Sequence, residues 1–152
     1  MKTLANPDDR LEILRRLRSI KPTSRRRWGE MTPHEMICHL SDAFHSCLGE
    51  KEVRPASRWI PRRLFRWAAL WVPVPWPRGV RGPREWDPKA DGTKPADFES
   101  DRKELHKLIE RFAKAPVDFR WPEHPFFGRM SPEEWKRLGY LHADHHLRQF
   151  GA

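Results

Sequence analysis

The sequence predicts one all-α domain, a bundle of four main helices with a shorter helix inside a long crossover. Three observations predict it. Apolar residues recur at helical spacing in five separate segments. Two of those segments open with a capping box that carries proline at the first helical position, Thr32-Pro33-His34-Glu35 and Ser131-Pro132-Glu133-Glu134. Pro73, Pro75, Pro77, Pro83 and Pro88 crowd a single stretch and forbid regular structure there. With 152 residues the chain reads as one domain, 1–152, able to bury roughly two-thirds of the surface its unfolded form exposes.

The first helix is expected from Pro7 to Ile20, with Asn6 as N-cap and Leu11, Leu14, Leu17 and Ile20 as its apolar stripe. The second runs from about 33 to 48, where Met36, Leu40, Ala43, Phe44 and Cys47 follow the capping box. Residues 58 to 72 repeat the pattern through Leu64, Phe65, Ala68 and Trp71. The proline-rich crossover comes next, and its Trp76 and Trp86 indicate that it packs down on the domain, over a surface or a site. Another helix spans Ala96 to Lys114, with Phe98, Leu105, Leu108, Ile109 and Phe112 on one face, and Pro116 stops it. The last opens at Ser131 and runs to about Phe150, with Gly151 as terminator. Because the second and third main helices are separated by nearly fifty residues, they need not be antiparallel. Eight Trp and eight Phe predict an aromatic-rich core.

Composition narrows the function classes. Thirty Lys plus Arg against twenty-one Asp plus Glu give a net charge of +9, but the basic residues are spread through every segment. The single tight run is Arg25-Arg26-Arg27 and no nucleic-acid motif accompanies it, so nucleic acid is not the expected partner. No stretch approaches the roughly 20 apolar residues of a membrane span, and the first residues lack an apolar signal core. Cys38 and Cys47, nine positions apart on one helix, sit roughly 13 Å apart and cannot form a disulfide. These features together read as cytoplasmic.

Chemistry concentrates in histidine. The densest cluster is His142-Ala143-Asp144-His145-His146 in the last helix. Residues four apart differ by about 40° and point the same way, so His142 and His146 can grip one ion from successive turns. His145, turned about 60° the other way from His142, can also face inward, and geometry alone leaves both open. His39 lies at the margin of the inward stripe of the second helix, whereas His34 and His45 project away from it. Three imidazoles suit zinc, nickel, copper or iron, and three ligands leave a position open, as in a catalytic site. No second cluster of ligands is expected.

Four further residues bear on such a site. His124, in the loop before the last helix, either carries protons at the mouth or stacks on aromatics. Gln149 lies one turn beyond His146 and either bonds a water at the ion or satisfies buried backbone. Cys38 reads as packing, about 100° around the helix from His39. Asp144 points away from the histidines, toward solvent or a partner chain.

Trp28-Gly29-Glu30-Met31-Thr32, Cys38-His39-Leu40, and Tyr140-Leu141-His142-Ala143-Asp144-His145-His146-Leu147-Arg148-Gln149 together resemble the DinB-like superfamily of metal-binding four-helix bundles. Within it the chain is most similar to an uncharacterised branch. The shared features are the Pro and Trp-rich middle, Gly92-Thr93-Lys94-Pro95-Ala96-Asp97-Phe98, and His124-Pro125-Phe126-Phe127-Gly128-Arg129-Met130-Ser131 leading into Glu134-Trp135. The resemblance implies an up-down-down-up bundle, frequently a homodimer. It also implies a metal site of one histidine from the second helix and an HxxxH pair from the fourth, here His39, His142 and His146. His145, Gln149 and His124 then fall around that site. Relatives include thiol transferases and a mycothiol-dependent isomerase, and others are grouped as hydrolases. The last helix here reads His-Leu-Arg-Gln where many relatives read His-Arg-Gly-Gln, a difference that bears on substrate transfer more than on metal binding.

The expectation is therefore a metal-dependent enzyme acting on a small molecule, as hydrolase or thiol transferase, with one divalent transition metal. Zinc or nickel leads, and iron, copper, manganese and cobalt are admissible. A low-molecular-weight thiol is the natural cosubstrate, and Arg78, Arg81 and Arg84 in the crossover would suit an anionic one. The contrasting expectation is a non-enzymatic binding protein braced by its metal.

Overall fold

The computed structural model of the chain describes residues 1–55 and 61–152. Among the described residues the fold is all-helical, with α1 Pro7–Ser19, α2 Pro33–Cys47, α3 Arg62–Trp71, α4 Phe98–Ala113 and α5 Pro132–Arg148, plus a 3-10 turn at Arg84–Trp86. There is no strand among them, only an isolated bridge between His124 and Gly128. The predicted onset of the crossover helix at residues 58–60 lies outside the described residues.

Local chemistry accounts for the boundaries. The Asn6 side chain accepts from the backbone N–H groups of Asp8 and Asp9, and Pro7 occupies the first turn of α1. Both capping boxes close. Thr32 and Glu35 cap α2, Ser131 and Glu134 cap α5, and in each the serine or threonine side chain and the glutamate side chain satisfy one another's backbone N–H. Asp97 caps α4 by accepting from Ser100 N–H, so the helix begins at Phe98, two residues later than expected. Gly151 adopts φ +75°, the left-handed conformation that ends the last helix.

α2 packs most extensively on α4, α1 on α5 and α4, and α5 also touches α2, α3 and α4. Ile13, Leu14, Leu17, Met36, Leu40, Phe44, Leu105, Leu108, Phe112 and Trp135 form the centre of the core. An aromatic train crosses it, from Phe44 through Phe112 and Trp121 to Trp135, whose indole stacks on Trp121 at 5.4 Å. The expectation of an aromatic-rich core needs correction for tryptophan, because among the described residues only Trp86 and Trp135 are buried. Trp67 and Trp71 are exposed, and Trp28 and Trp76 lie at the histidine cluster.

Two stripes also need correction. Leu11 is 56% exposed and Ile13 takes its place in the core, because Leu11 and Ile20 are nine residues, or about 900°, apart and therefore on opposite sides of α1. In α3, Leu64, Ala68 and Trp71 face outward, and the helix docks through Leu70 with Phe65 and Ala69 partly buried. The crossover packs down as expected. Asp42, buried on α2, accepts from Thr93 N–H and Oγ1 at 2.7 Å each and pairs with Lys51 at 2.6 Å. The Trp86 indole N–H donates to Ser46 Oγ at 3.1 Å, and that of Trp76 to the Ala69 carbonyl at 2.8 Å. No helix among the described residues is long and apolar enough to cross a membrane.

Candidate metal centre

α2 presents His39 to the face of α5 that carries His142 and His146. The Nε2 atom of His142 lies 3.2 Å from His39 Nε2 and 3.1 Å from His146 Nε2. The opposite nitrogens of His39 and His146 are tied back to the protein. His39 Nδ1 lies 2.9 Å from the Trp86 carbonyl, which can only accept, so the ring proton sits on Nδ1 and Nε2 is bare. His146 Nδ1–H donates to Gln149 Oε1 at 2.9 Å, which bares its Nε2 in the same way. Burial pushes all three pKa values below the usual 6.5, those of His142 and His146 well below, and the mutual repulsion of the rings adds to this for His142 and His146. The rings are therefore neutral at neutral pH, the form that ligates.

These donors fit a transition metal. Imidazole nitrogens 2.0–2.1 Å from a tetrahedral ion stand about 3.3 to 3.4 Å from one another, close to the separations seen. Without a cation, bare lone pairs face one another in a buried site and one imidazole proton can satisfy at most one of them. The buried group His39, His142 and His146 could thus hold a metal ion.

The crossover roofs the cluster. The Trp86 ring lies 6.2 Å from His39 and 5.9 Å from His142, and Trp76 lies 6.2 Å from His142. A Cβ built on Gly82 would stand 3.8 Å from His39 Cε1, so the bare glycine brings the crossover backbone close to the ring. His145 stays out of the triad. It sits between Trp28 at 4.7 Å and Trp76 at 5.9 Å, and burial pushes its pKa down to about 4.

The remaining expectations divide. His124 is buried and stacked on Phe127 at 4.5 Å, the aromatic alternative rather than the proton carrier, and its ring lies 6.0 Å from that of Trp86. Its Nδ1 accepts the backbone N–H groups of Phe126 and Phe127, and burial lowers its pKa to about 3. Gln149 takes a role that neither alternative named, since it orients His146. Asp144, partly exposed, pairs with Arg16 of α1 at 2.7 Å and with Arg148 at 2.9 Å. Arg84 is matched by Asp91, whereas Arg78 lies over the Trp28 ring at 5.1 Å. The expectation of no second ligand cluster fails, because His34, Cys38 and Asp101 also converge. Sequence reasoning missed the Trp86 carbonyl, which is a backbone group and leaves no trace in residue type.

A family model described as a protein of unknown function, DUF1569, matches residues 56–152, more than half of the chain. The chain belongs to the DUF1569 family. Searches of curated proteins and of solved structures each return no match. In this DUF1569 chain the matched region carries α3, the crossover, α4 and α5, and with them Trp76, Trp86, His142, His146 and Gln149. His39 lies ahead of it on α2, so the histidine cluster joins the DUF1569 region to the preceding helices.

Proposed function

We propose that the chain is a metal-dependent enzyme of the DinB-like kind, in which His39, His142 and His146 hold one divalent transition ion, zinc or nickel, and the substrate is a small molecule. The observation that carries this reading is the convergence of three Nε2 atoms at 3.1 and 3.2 Å while the Nδ1 atoms of His39 and His146 are anchored to the Trp86 carbonyl and Gln149. Under the same reading α1, α2, α4 and α5 make the up-down-down-up four-helix bundle, and their mutual packing supports it.

The ion would supply Lewis acidity, which activates water for hydrolysis or lowers the pKa of a cosubstrate thiol. The chain's own residues do the rest. Gln149 and the Trp86 carbonyl fix ring orientation and tautomer. Trp76 and Trp86 shield the imidazoles from bulk water, and burial of this kind keeps the rings neutral and able to ligate. His145 remains neutral beside Trp28 and accepts a hydrogen bond from substrate, while Arg78, exposed over the same indole, attracts a carboxylate.

Protein purified without a metal-affinity tag and reconstituted should carry an ion that His39→Ala and His146→Ala lose and His145→Ala keeps. Retention of the full metal content in both former variants would refute the ligand set. A screen with esters, and with small thiols plus electrophiles, then tests the activity. The tryptophan roof favours a second reading, a binding protein braced by its metal. Azide added to the cobalt-loaded Cys38→Ser protein, in which the His34, Cys38 and Asp101 group lacks its sulfur donor, separates the two, since a changed visible spectrum reports an open coordination position and an unchanged one reports a closed, structural site.

A further inference from the structure

We propose that His34, Cys38 and Asp101 form a second cation site, separate from the three-histidine group, that takes a zinc-class divalent ion through a cysteine thiolate.

His34 and Cys38 are four apart on α2, the same spacing as His142 and His146 on α5, so their side chains leave one face of the helix on successive turns. α4 packs on that helix and brings Asp101, in its first turn, against them. His34 Nε2 stands 2.7 Å from Asp101 Oδ2, Cys38 Sγ is 3.9 Å from the same oxygen, and the three ligand atoms all lie within 4.8 Å of one another. One nitrogen, one sulfur and one oxygen donor make a set for zinc or cobalt rather than for magnesium or calcium, which take oxygen.

The surroundings favour a cation. The chain carries a net charge of +9, yet the groups around Cys38 are acidic. Asp101, Asp42 and Glu35 place negative charge near its buried thiol. The same negative field draws a divalent ion, and coordination releases the thiol proton to solvent while the His34 ring proton moves to Nδ1. Asp101 has capacity to spare. Oδ2 receives His34, Cys38 and the Ala96 N–H, whereas Oδ1 has no hydrogen-bond partner among the described residues. The His34 and Asp101 side chains are 22% and 26% exposed, so the site opens to solvent on one side and leaves room for water or a small anion as a further ligand.

The histidine group contains no sulfur, which makes the two sites spectroscopically distinct. Cobalt titration of the whole chain should give a sulfur-to-cobalt charge-transfer band in the near ultraviolet and a second bound ion per chain. Cys38→Ser should abolish the band, Cys47→Ser should keep it, and Asp101→Asn, which preserves size and folding, should weaken the second ion by about tenfold or more. His142→Ala should remove the sulfur-free site and leave the band, so that failure of either site is visible without the other. Absence of the band at saturating cobalt, or its survival in Cys38→Ser or at full strength in Asp101→Asn, would overturn the proposal.

Discussion

Gln149 shows how much a single side chain can matter to a site it does not line. Its Oε1 fixes the proton of His146 on Nδ1 and so decides which ring nitrogen is available. Gln149→Leu removes that acceptor and should weaken metal binding by about 10 to 100-fold, whereas His145→Ala should leave the affinity within a few-fold. Competition with a chelating dye measures both, and equal affinities for Gln149→Leu and the unmodified chain would contradict the role. His124 offers a pH prediction. Its folded pKa is about 3 and its unfolded value is near 6.5, so the folded state resists protonation. The resulting stability is complete above pH 6.5 and is lost as pH falls toward 3, by up to about 1.4 kcal/mol per unit. His124→Asn keeps an acceptor for the Phe126 and Phe127 N–H groups but does not titrate. Between pH 7 and pH 5 the unmodified protein should lose about 2 kcal/mol more stability in urea unfolding than this variant does, and parallel losses would refute the assignment. His39 and the inward face of α5 were legible in the sequence because ligand spacing follows from helix geometry. The orienting bonds were not, since one partner is a backbone carbonyl, and a wheel diagram that brings Gln149 to the inward side of His146 does not say which atom it bonds.

Among the elements, α5 meets its neighbours at close range at Gly139. A Cβ there would lie 2.6 Å from Phe112 Cε1 and 2.9 Å from Leu4 Cδ1, and both of those side chains are fully buried. Helix propensity alone would favour alanine by about 1 kcal/mol. Overpacking against two immobile neighbours costs about 1 to 3 kcal/mol and should win, so Gly139→Ala is expected to destabilise the protein. A urea midpoint equal to or above that of the unmodified chain would show that α5 can shift to make room. Helix existence and boundaries were legible because caps and prolines are local signals. The facing of α3 was not. Its apolar residues recur on more than one side, Arg66 is drawn to Glu134 at 3.1 Å, and Leu70 rather than Leu64 or Trp71 reaches the core. Three-residue spacing misled the reading of α1 for a geometric reason, since each such step drifts by about 60° and carries Leu11 out of the stripe.

At the scale of the molecule the histidine group joins segments that the chain keeps far apart, with 103 residues separating His39 from His142. Unfolding disperses these donors, so an ion held by all three binds the folded state in strong preference to the unfolded one. The stabilisation is RT ln(1 + [M]/Kd), about 4 kcal/mol when the free ion stands at a thousand times its dissociation constant. The ion should therefore raise the thermal midpoint, and a chelator should lower it to that of the ion-free protein. His39→Ala decides whether the effect comes from joining α2 to α5 rather than from loose surface binding. It leaves the pair on α5 intact but removes the bridge, and the increment attributable to this group should collapse even though two imidazoles remain. Cys38→Ser, combined with His39→Ala, then removes the contribution of the His34, Cys38 and Asp101 group as well. A midpoint that rises as far with zinc in His39→Ala as in the unmodified chain would mean that no ion braces α2 against α5.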